Sequence, residues 1–504
     1  MTKEKKNLLA GVFIVIVVYV GTLWQRPMFT PMEFIFAVKS MSVSSELAAV
    51  FTGYIGKALK YNIVSVRLLP ALGAVICAFC VRIIGRKEYG EKFGNLAAVI
   101  FLSTLLVFSY GTACAREMIN TMFLCTALTS AYAAFEFDDT RPKYIRYLIA
   151  AAGGGAAGLF AASMGVDALI FPFIVIVLYV IFRRPSCFKS VVVTGFVSAV
   201  LVLMAWMLNH NISLFSRYGS LKLDNLPYLL YGTLPWVLFL PQAVSGAVKN
   251  RKAFFARKPA VFALAVIAAG ILVFPVAGIL SAAVLVSPFS ALLFTLALKE
   301  SENDEKFLKI SERTLGVALI IFVIFAAAVI VSCCIPAVPL KWKLYYSKAE
   351  LAGFAAACAA AAIQFKIAVD EKSQFKAKKL LHVATGMAVL MILLPGAMPE
   401  SVKRQRAPEE FFRSSAGRYM ARDSVIYADY NSFHAAKWVF RRHKVILINK
   451  KNARNIAERI EKGKNTAVFS TSSRFTKLFP RHKILFSRGR WRIVLFQPKG
   501  EINE

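Results

Sequence analysis

Apolar residues in this chain gather into long, nearly unbroken runs. "LLAGVFIVIVVYVGTLW" at 8 to 24 and "VVVTGFVSAVLVLMAWML" at 191 to 208 are typical. A hydrocarbon core of ~30 Å takes about 20 residues of helix. A window of about 19 residues places helices at 8 to 24, 63 to 83, 95 to 112, 118 to 135, 147 to 163, 167 to 182 and 190 to 208. Further helices follow at 227 to 247, 259 to 275, 278 to 298, 314 to 335, 349 to 368 and 380 to 397. That is about thirteen spans, with the pair around Pro275 open to a second reading as one re-entrant element. No run alternates apolar and polar residues for long enough to build a membrane barrel, so bundled helices satisfy the buried backbone.

After Pro395 the pattern changes. "SVIYADY", "KVILIN", "TAVFSTS", "KILFS" and "WRIVLFQP" are short β-branched runs, and "KKNARNIAERIEKG" between them reads as helix. The prediction is an α-helical polytopic domain over 1–397 and a small soluble α/β domain over 398–504.

The polar stretches between the runs set the orientation. "MTKEKK", "RIIGRKEYGEKFG", "DDTRPKYIRY", "RRPSCFK", "KNRKAFFARK", "KESENDEKFLKISER" and "DEKSQFKAKK" are basic, and they fall at every second connection. Lys and Arg accumulate in cytoplasmic loops, so the N-terminus is expected inside and the C-terminal domain outside, in a plasma (inner) membrane. The C-terminal domain carries about 24 basic against about 9 acidic residues, but a domain of that length translocates largely regardless of charge. The first run is of full span length and "VGTLWQRP" offers no small-residue cleavage pattern, so it reads as an uncleaved helix rather than a signal peptide.

Composition agrees with this class: 58% of residues are hydrophobic and mean hydropathy is +0.58. A net charge of +34 raises the question of nucleic acid. The cations are split between loops and a tethered domain, which points to anionic lipid headgroups or a phosphorylated lipid and excludes nucleic acid.

Several motifs fail on context. "GGGAAG" at 153 to 158 fits a dinucleotide fingerprint but lies in an apolar helix with no strand before it; Gly154 and Gly158 read as close helix packing. "CAFC" at 77 to 80 has metal-ligand spacing inside a span, without a second pair. The C-terminal domain has no cysteine and hence no disulfide framework. His382 and His210 are isolated, and no H-E-x-x-H or G-x-S-x-G occurs.

The informative charges lie on the outward side. Glu33 follows the first span and Glu117 precedes the fourth. Two carboxylates from separate outer loops are suited to bind a divalent cation, or to share base and charge-stabilising roles. Arg67, Arg116, Arg217, Lys222, Lys341 and Lys343 are the cations available to clamp a phosphate. Simpler readings stand beside these: Arg116 and Glu117 as a solvated helix start, and Arg67 as a snorkelling anchor.

At these residues the chain resembles the GT-C membrane glycosyltransferases that use polyprenyl-phosphate-linked sugars, in the branch of the aminoarabinose lipid A transferases and protein O-mannosyltransferases. "NIVSVRLLPALGAV" looks like that branch's V-R-L-P helix, and "CAREMINTMF" like its Arg-x-acid-Met-x-x-T-F turn. "GLFAASMGVDALIFPF" is similar to its G-L-A-x-x-T-K-G-P helix pair.

The resemblance implies thirteen helices followed by an outer α/β domain. It also implies transfer of a sugar from polyprenyl phosphate to a lipid or glycan acceptor, as in modification of lipid A or a cell-envelope glycan. By the same resemblance Glu33 and Glu117 are catalytic or metal-binding carboxylates, and Arg67 and Arg116 are phosphate contacts; Lys341 and Lys343 join them as phosphate contacts on the outward-cation reading. Met32 stands where the family has an Asp before Glu33, and Met164 where it has a basic residue before Gly165. A degenerate scaffold that binds or transports lipid is the alternative.

Overall fold

The computed structural model describes Tyr19, Leu23, residues 31–41, 46–136, 142–183, 185, 187–209, 232–277, 279–300, scattered positions from 313 to 331, 348–370, 376–396, 425–429, 433–439, 444–448, 466–470, 483–488 and 491–496. Seven helices among these residues are long and apolar enough to cross a membrane, and a further pair, bent by 69°, forms either a broken span or a re-entrant loop. The chain is a multi-pass α-helical membrane protein. The first predicted span, apart from Tyr19 and Leu23, lies outside the described residues, as does much of 314 to 335.

The long outer connection at 25 to 62 is not a simple loop: it holds α1 (Pro31–Met41) and α2 (Leu47–Ala58). Both carry buried small residues, Ala37 on α1 and Ala48 and Ala49 on α2, which lets them pack closely. Tyr61 hooks the pair together, its hydroxyl lying within hydrogen-bond distance of Ser40 O (3.3 Å) and Gly53 O (3.2 Å).

Helix α3 (Ile63–Tyr89) starts at a capping box in which Asn62 and Ser65 satisfy each other's backbone N–H groups. Gly90 ends it with φ +83, a conformation that favours glycine. The predicted single span at 95 to 112 is instead α4 (Glu91–Leu102) and α5 (Leu105–Gly111). No proline causes this break. Tertiary hydrogen bonds sustain it: Tyr19 donates to Leu102 O (3.0 Å), Leu105 N–H to Leu234 O (3.1 Å), and Trp236 Nε1 to Ser103 Oγ (3.2 Å). Non-helical backbone at this depth persists only where protein supplies such partners.

Helices α6 (Arg116–Phe135) and α7 (Lys143–Met164) follow, then a 3-10 turn (Val166–Leu169), α8 (Ile170–Arg183) and α9 (Phe188–Asn209). Gly154 of α7 approaches Gly195 of α9 so closely that an added Cβ would lie 2.0 Å from Gly195 O. The glycine run is therefore a packing seam. After a second 3-10 turn (Trp236–Phe239) come α10 (Leu240–Lys249), α11 (Arg251–Ala256), α12 (Lys258–Ala277) and α13 (Ile279–Glu300). The last two are separate helices on either side of residue 278. Helices α14 (Lys348–Asp370) and α15 (Lys376–Gly396) pack together, with His382 Nδ1 3.1 Å from Gln364 Oε1.

Glu136 and Glu300 tie helices together at one end of the bundle among the described residues. Glu136, just past α6, accepts from Tyr179 (2.8 Å) and pairs with Lys258 (2.5 Å). Glu300, ending α13, accepts from Tyr89 (2.7 Å) and lies 3.7 Å from Arg257, whose guanidinium stacks 4.9 Å from the Tyr89 ring.

At the other end lies a five-stranded sheet of order β2-β1-β3-β5-β4. Its strands are β1 (Ile426–Asp429), β2 (Val445–Ile448), β3 (Thr466–Ser470), β4 (Lys483–Arg488) and β5 (Trp491–Phe496). β1 runs parallel to β2 and β3, while β5 is antiparallel to β3 and β4. Helix α16 (Phe433–Val439) covers β1 and β2, with Trp438 fully buried, and packs on α1. The stretch 449 to 465, which contains the predicted helix, and the boundary at 397/398 lie outside the described residues.

Candidate active site

Arg67 lies in the second turn of α3, on a helix whose start is fixed by the Asn62 box, and it points inward. Its side chain is completely buried, and Nη2 donates to Glu33 Oε1 at 2.9 Å; Glu33 itself is 2% exposed. Nη1 donates to Leu23 O at 3.1 Å. The backbone N–H of Cys114, in the turn before α6, donates to the same Glu33 oxygen at 3.2 Å. The first span, α1, α3 and the α5–α6 turn thus meet at one ion pair. Burial, followed by the nearby charge of Glu33, pushes the Cys114 thiol well above its usual range; Arg67 opposes this and Glu117 adds to it. Glu33, Arg67 and Glu117 therefore gather around Cys114.

A second, partly exposed layer lies beside this pair. Arg116 and Glu117 occupy the first turn of α6 rather than a loop, so Glu117 also meets the positive end of the helix dipole. Arg116 Nε stands 3.7 Å from Glu117 Oε1, and Arg116 Nη1 stands 3.7 Å from Glu46 Oε1. Glu46 is the N-cap residue of α2 but makes no side-chain cap bond; its carboxylate accepts from Lys39 at 2.6 Å. Lys39, Glu46, Arg116 and Glu117 thus form an alternating ionic row across α1, α2 and α6.

One turn along α6, buried Asn120 accepts from Ser163 at 2.5 Å, and its amide N–H reaches the Met164 thioether. Gly165 then leaves α7 with φ +135, which suits glycine alone.

The chain is similar to known proteins. Residues 47–209 match the family described as dolichyl-phosphate-mannose-protein mannosyltransferase. The undecaprenyl phosphate-alpha-4-amino-4-deoxy-L-arabinose arabinosyl transferase of Shewanella sediminis is 25% identical over 416 residues, covering 77% of this chain and 72% of its own. The protein of the same name in Aeromonas salmonicida is 25% identical over 381 residues, covering 71% and 67%. The crystal structure of ArnT from Cupriavidus metallidurans bound to undecaprenyl phosphate superposes with a TM-score of 0.77 at 14% identity, covering 98% of this chain and 99% of that one. Its apo structure gives 0.74, covering 99% and 100%. The chain is similar to the aminoarabinose transferases and shares the fold of ArnT.

The structure brings together four of the eight residues singled out from sequence: Glu33, Arg67, Arg116 and Glu117. Arg217, Lys222, Lys341 and Lys343 lie outside the described residues. Arg67 is enclosed with Glu33 rather than set at a rim, because a guanidinium in a helical turn facing the core needs a buried counter-charge. Glu33 Oε1 already accepts from Arg67 and Cys114. Among the described residues no group of three or more His, Cys, Asp and Glu side chains is placed to hold a metal ion. Sequence reasoning missed Lys39, Glu46 and Asn120. Glu46 was readable as an acid opening a helix, but nothing in "SSELAAV" shows that its carboxylate turns toward Arg116.

Proposed function

We propose that this protein is a membrane glycosyltransferase that moves a sugar from a polyprenyl-phosphate-linked donor to a lipid or glycan acceptor at the extracytoplasmic face. The observation that carries this reading is the layered site: a buried Glu33–Arg67 pair beneath a half-exposed Arg116–Glu117 turn. The relatives named for undecaprenyl phosphate-linked aminoarabinose supply the donor class.

In the proposed reaction the acceptor hydroxyl attacks the anomeric carbon, its proton passes to a carboxylate, and the donor's phosphate oxygen leaves with the bonding electrons. Glu117 is the carboxylate suited to receive the proton, being partly open to solvent. Arg116 faces the leaving phosphate, and Lys341 and Lys343 are its proposed further contacts. Glu33 and Arg67 hold the Cys114 turn, and so Arg116 and Glu117, in place.

The orientation supporting this role puts the N-terminus in the cytoplasm and the 398–504 domain outside, in the plasma (inner) membrane. Basic residues concentrate at the end of Glu136 and Glu300, opposite the site, which is the expected cytoplasmic bias. A lipid-binding scaffold without turnover is the second reading, favoured by the engagement of Glu33 with Arg67 and Cys114.

The test is transfer from labelled undecaprenyl-phosphate sugar by protein in vesicles. Glu117→Gln is expected to lower turnover by about 100-fold or more with donor retention unchanged, the scale of a general base. Wild-type protein that retains the lipid without turnover supports the second reading. Full transfer by a folded Glu117→Gln protein removes Glu117 from the mechanism.

A further inference from the structure

At the end opposite the site, α11 forms a six-residue corner between α10 and α12 whose surface the proposed reaction does not use. Three features meet there. First, α10 presents Leu240, Val244 and Val248 outward, at 49, 54 and 65% exposure, one above the other at helical spacing. Such a stripe, on a helix packed against the span α13, is suited to acyl chains, and it runs down to Lys249 and α11. On α8, Phe173, Val177 and Ile181 form a second outward stripe that ends beside Arg183.

Second, the corner is pinned. Phe254 is buried, while Arg183 donates to Phe255 O (2.9 Å) and Ala256 O (2.5 Å), which caps the C-terminal carbonyls of α11. Asn250 donates to Glu300 O at 2.8 Å, holding the other side. Third, the described acids nearest the corner are already engaged. Glu136 is engaged by Lys258 and Tyr179, and Glu300 by Arg257 and Tyr89. Arg251 and Lys252 are exposed and enter no salt bridge among the described residues, and Phe255 stands beside them at 56% exposure.

We propose that the α10–α11 corner is a docking surface for anionic phospholipid headgroups, with Arg251 and Lys252 meeting the phosphate-bearing head and Phe255 seated at the boundary between head and acyl chain. Charge complementarity selects the occupant. An apolar stripe suited to acyl chains ends at the corner, so a headgroup is what fits next to its lower end; two cations that enter no salt bridge among the described residues favour an anionic one. An aromatic ring at this level adds an interfacial anchor. The surface is rigid before the lipid arrives, so binding does not require ordering of the loop. This inference is independent of the proposed transfer reaction, because it concerns neither donor nor acceptor.

The experiment is native mass spectrometry of the full chain in detergent, equilibrated with equal amounts of phosphatidylglycerol and phosphatidylcholine of identical acyl chains. Wild-type protein is expected to retain phosphatidylglycerol preferentially, and raising salt is expected to erode that preference. Arg251→Gln/Lys252→Gln is expected to reduce it by about tenfold, given attractions of roughly one RT or more per cation. Lys143→Gln, an exposed cation elsewhere at this end, is expected to leave most of it intact. The double variant's fold is checked by its thermal midpoint in phosphatidylcholine alone. No preference in wild type, a preference that survives high salt, or an equal preference in the folded double variant overturns the proposal. If the double variant does not fold, the salt series and Phe255→Ala, expected to weaken retention, decide alone.

Discussion

Replacing Arg67 with methionine removes a cation from the only buried ion pair in the site layer described above and leaves Glu33 with Cys114 N–H as its remaining recorded donor there. At 2.9 Å, and with an effective dielectric near 20, the lost attraction is roughly 6 kcal/mol. That figure is not the net effect, because both charges were desolvated to form the pair. Breaking a buried pair from one side costs about 3–5 kcal/mol, mostly because a charge is left alone. Arg67→Met is therefore expected to lower the thermal midpoint in a single detergent by at least roughly 5 °C. Glu33→Gln is expected to do nearly as much, since it leaves the guanidinium buried. The double variant, with both charges gone, is expected to recover at least about 2 kcal/mol relative to the sum of the two single losses. If the losses simply add, the two charges do not depend on each other, and the reading of Glu33–Arg67 as a coupled structural pair fails.

Other consequences follow from the same geometry. Gly154→Ala places a Cβ 2.0 Å from Gly195 O and is expected to cost about 1–3 kcal/mol, whereas Gly155→Ala meets only contacts of 3.7 Å and is expected to be near neutral; paired thermal melts decide. Burial, with help from Lys437 and Lys39, holds the His434 imidazole below its ordinary range. Its unfolded form takes up a proton first as pH falls through about 6.5, so stability is full above that pH and declines below it. His434→Gln is expected to flatten the decline in a series of melts from pH 8 to 5. Glu46→Gln removes the carboxylate between Lys39 and Arg116 and is expected to change donor KM more than kcat if it sets the position of Arg116, which steady-state kinetics would show.

Span positions were legible because hydrocarbon thickness imposes a length that apolar runs must meet. The helices at Lys143–Met164 and Ile279–Glu300 fall close to the ranges read from hydropathy. The break after Leu102 was not legible, because its cause is three hydrogen bonds to residues far away in the chain. The same holds for the site. Hydropathy marks Arg67 and Glu33 as charges near membrane ends, but partner choice across 34 residues leaves no periodic trace. Arg116 and Glu117 interrupt an apolar run and read either as an outer turn or as a solvated helix start; the second holds, with the acid in the first turn of α6. The sheet order also exceeds the strand pattern: β3 pairs with β1 and β5, which no local signal specifies.

The Glu33 contact also bears on how the chain is made. When Arg67 leaves the ribosome, Glu33 and Leu23 are already available, 34 and 44 residues upstream. The Cys114 amide lies 81 residues beyond Glu33 and does not yet exist. Insertion of α3 therefore brings in its arginine with a carboxylate in reach, while completion of that carboxylate's shell waits for two more helices to be synthesised. Nascent chains stalled at lengths that leave residue 114 inside or outside the ribosomal tunnel should differ in protease resistance at α1.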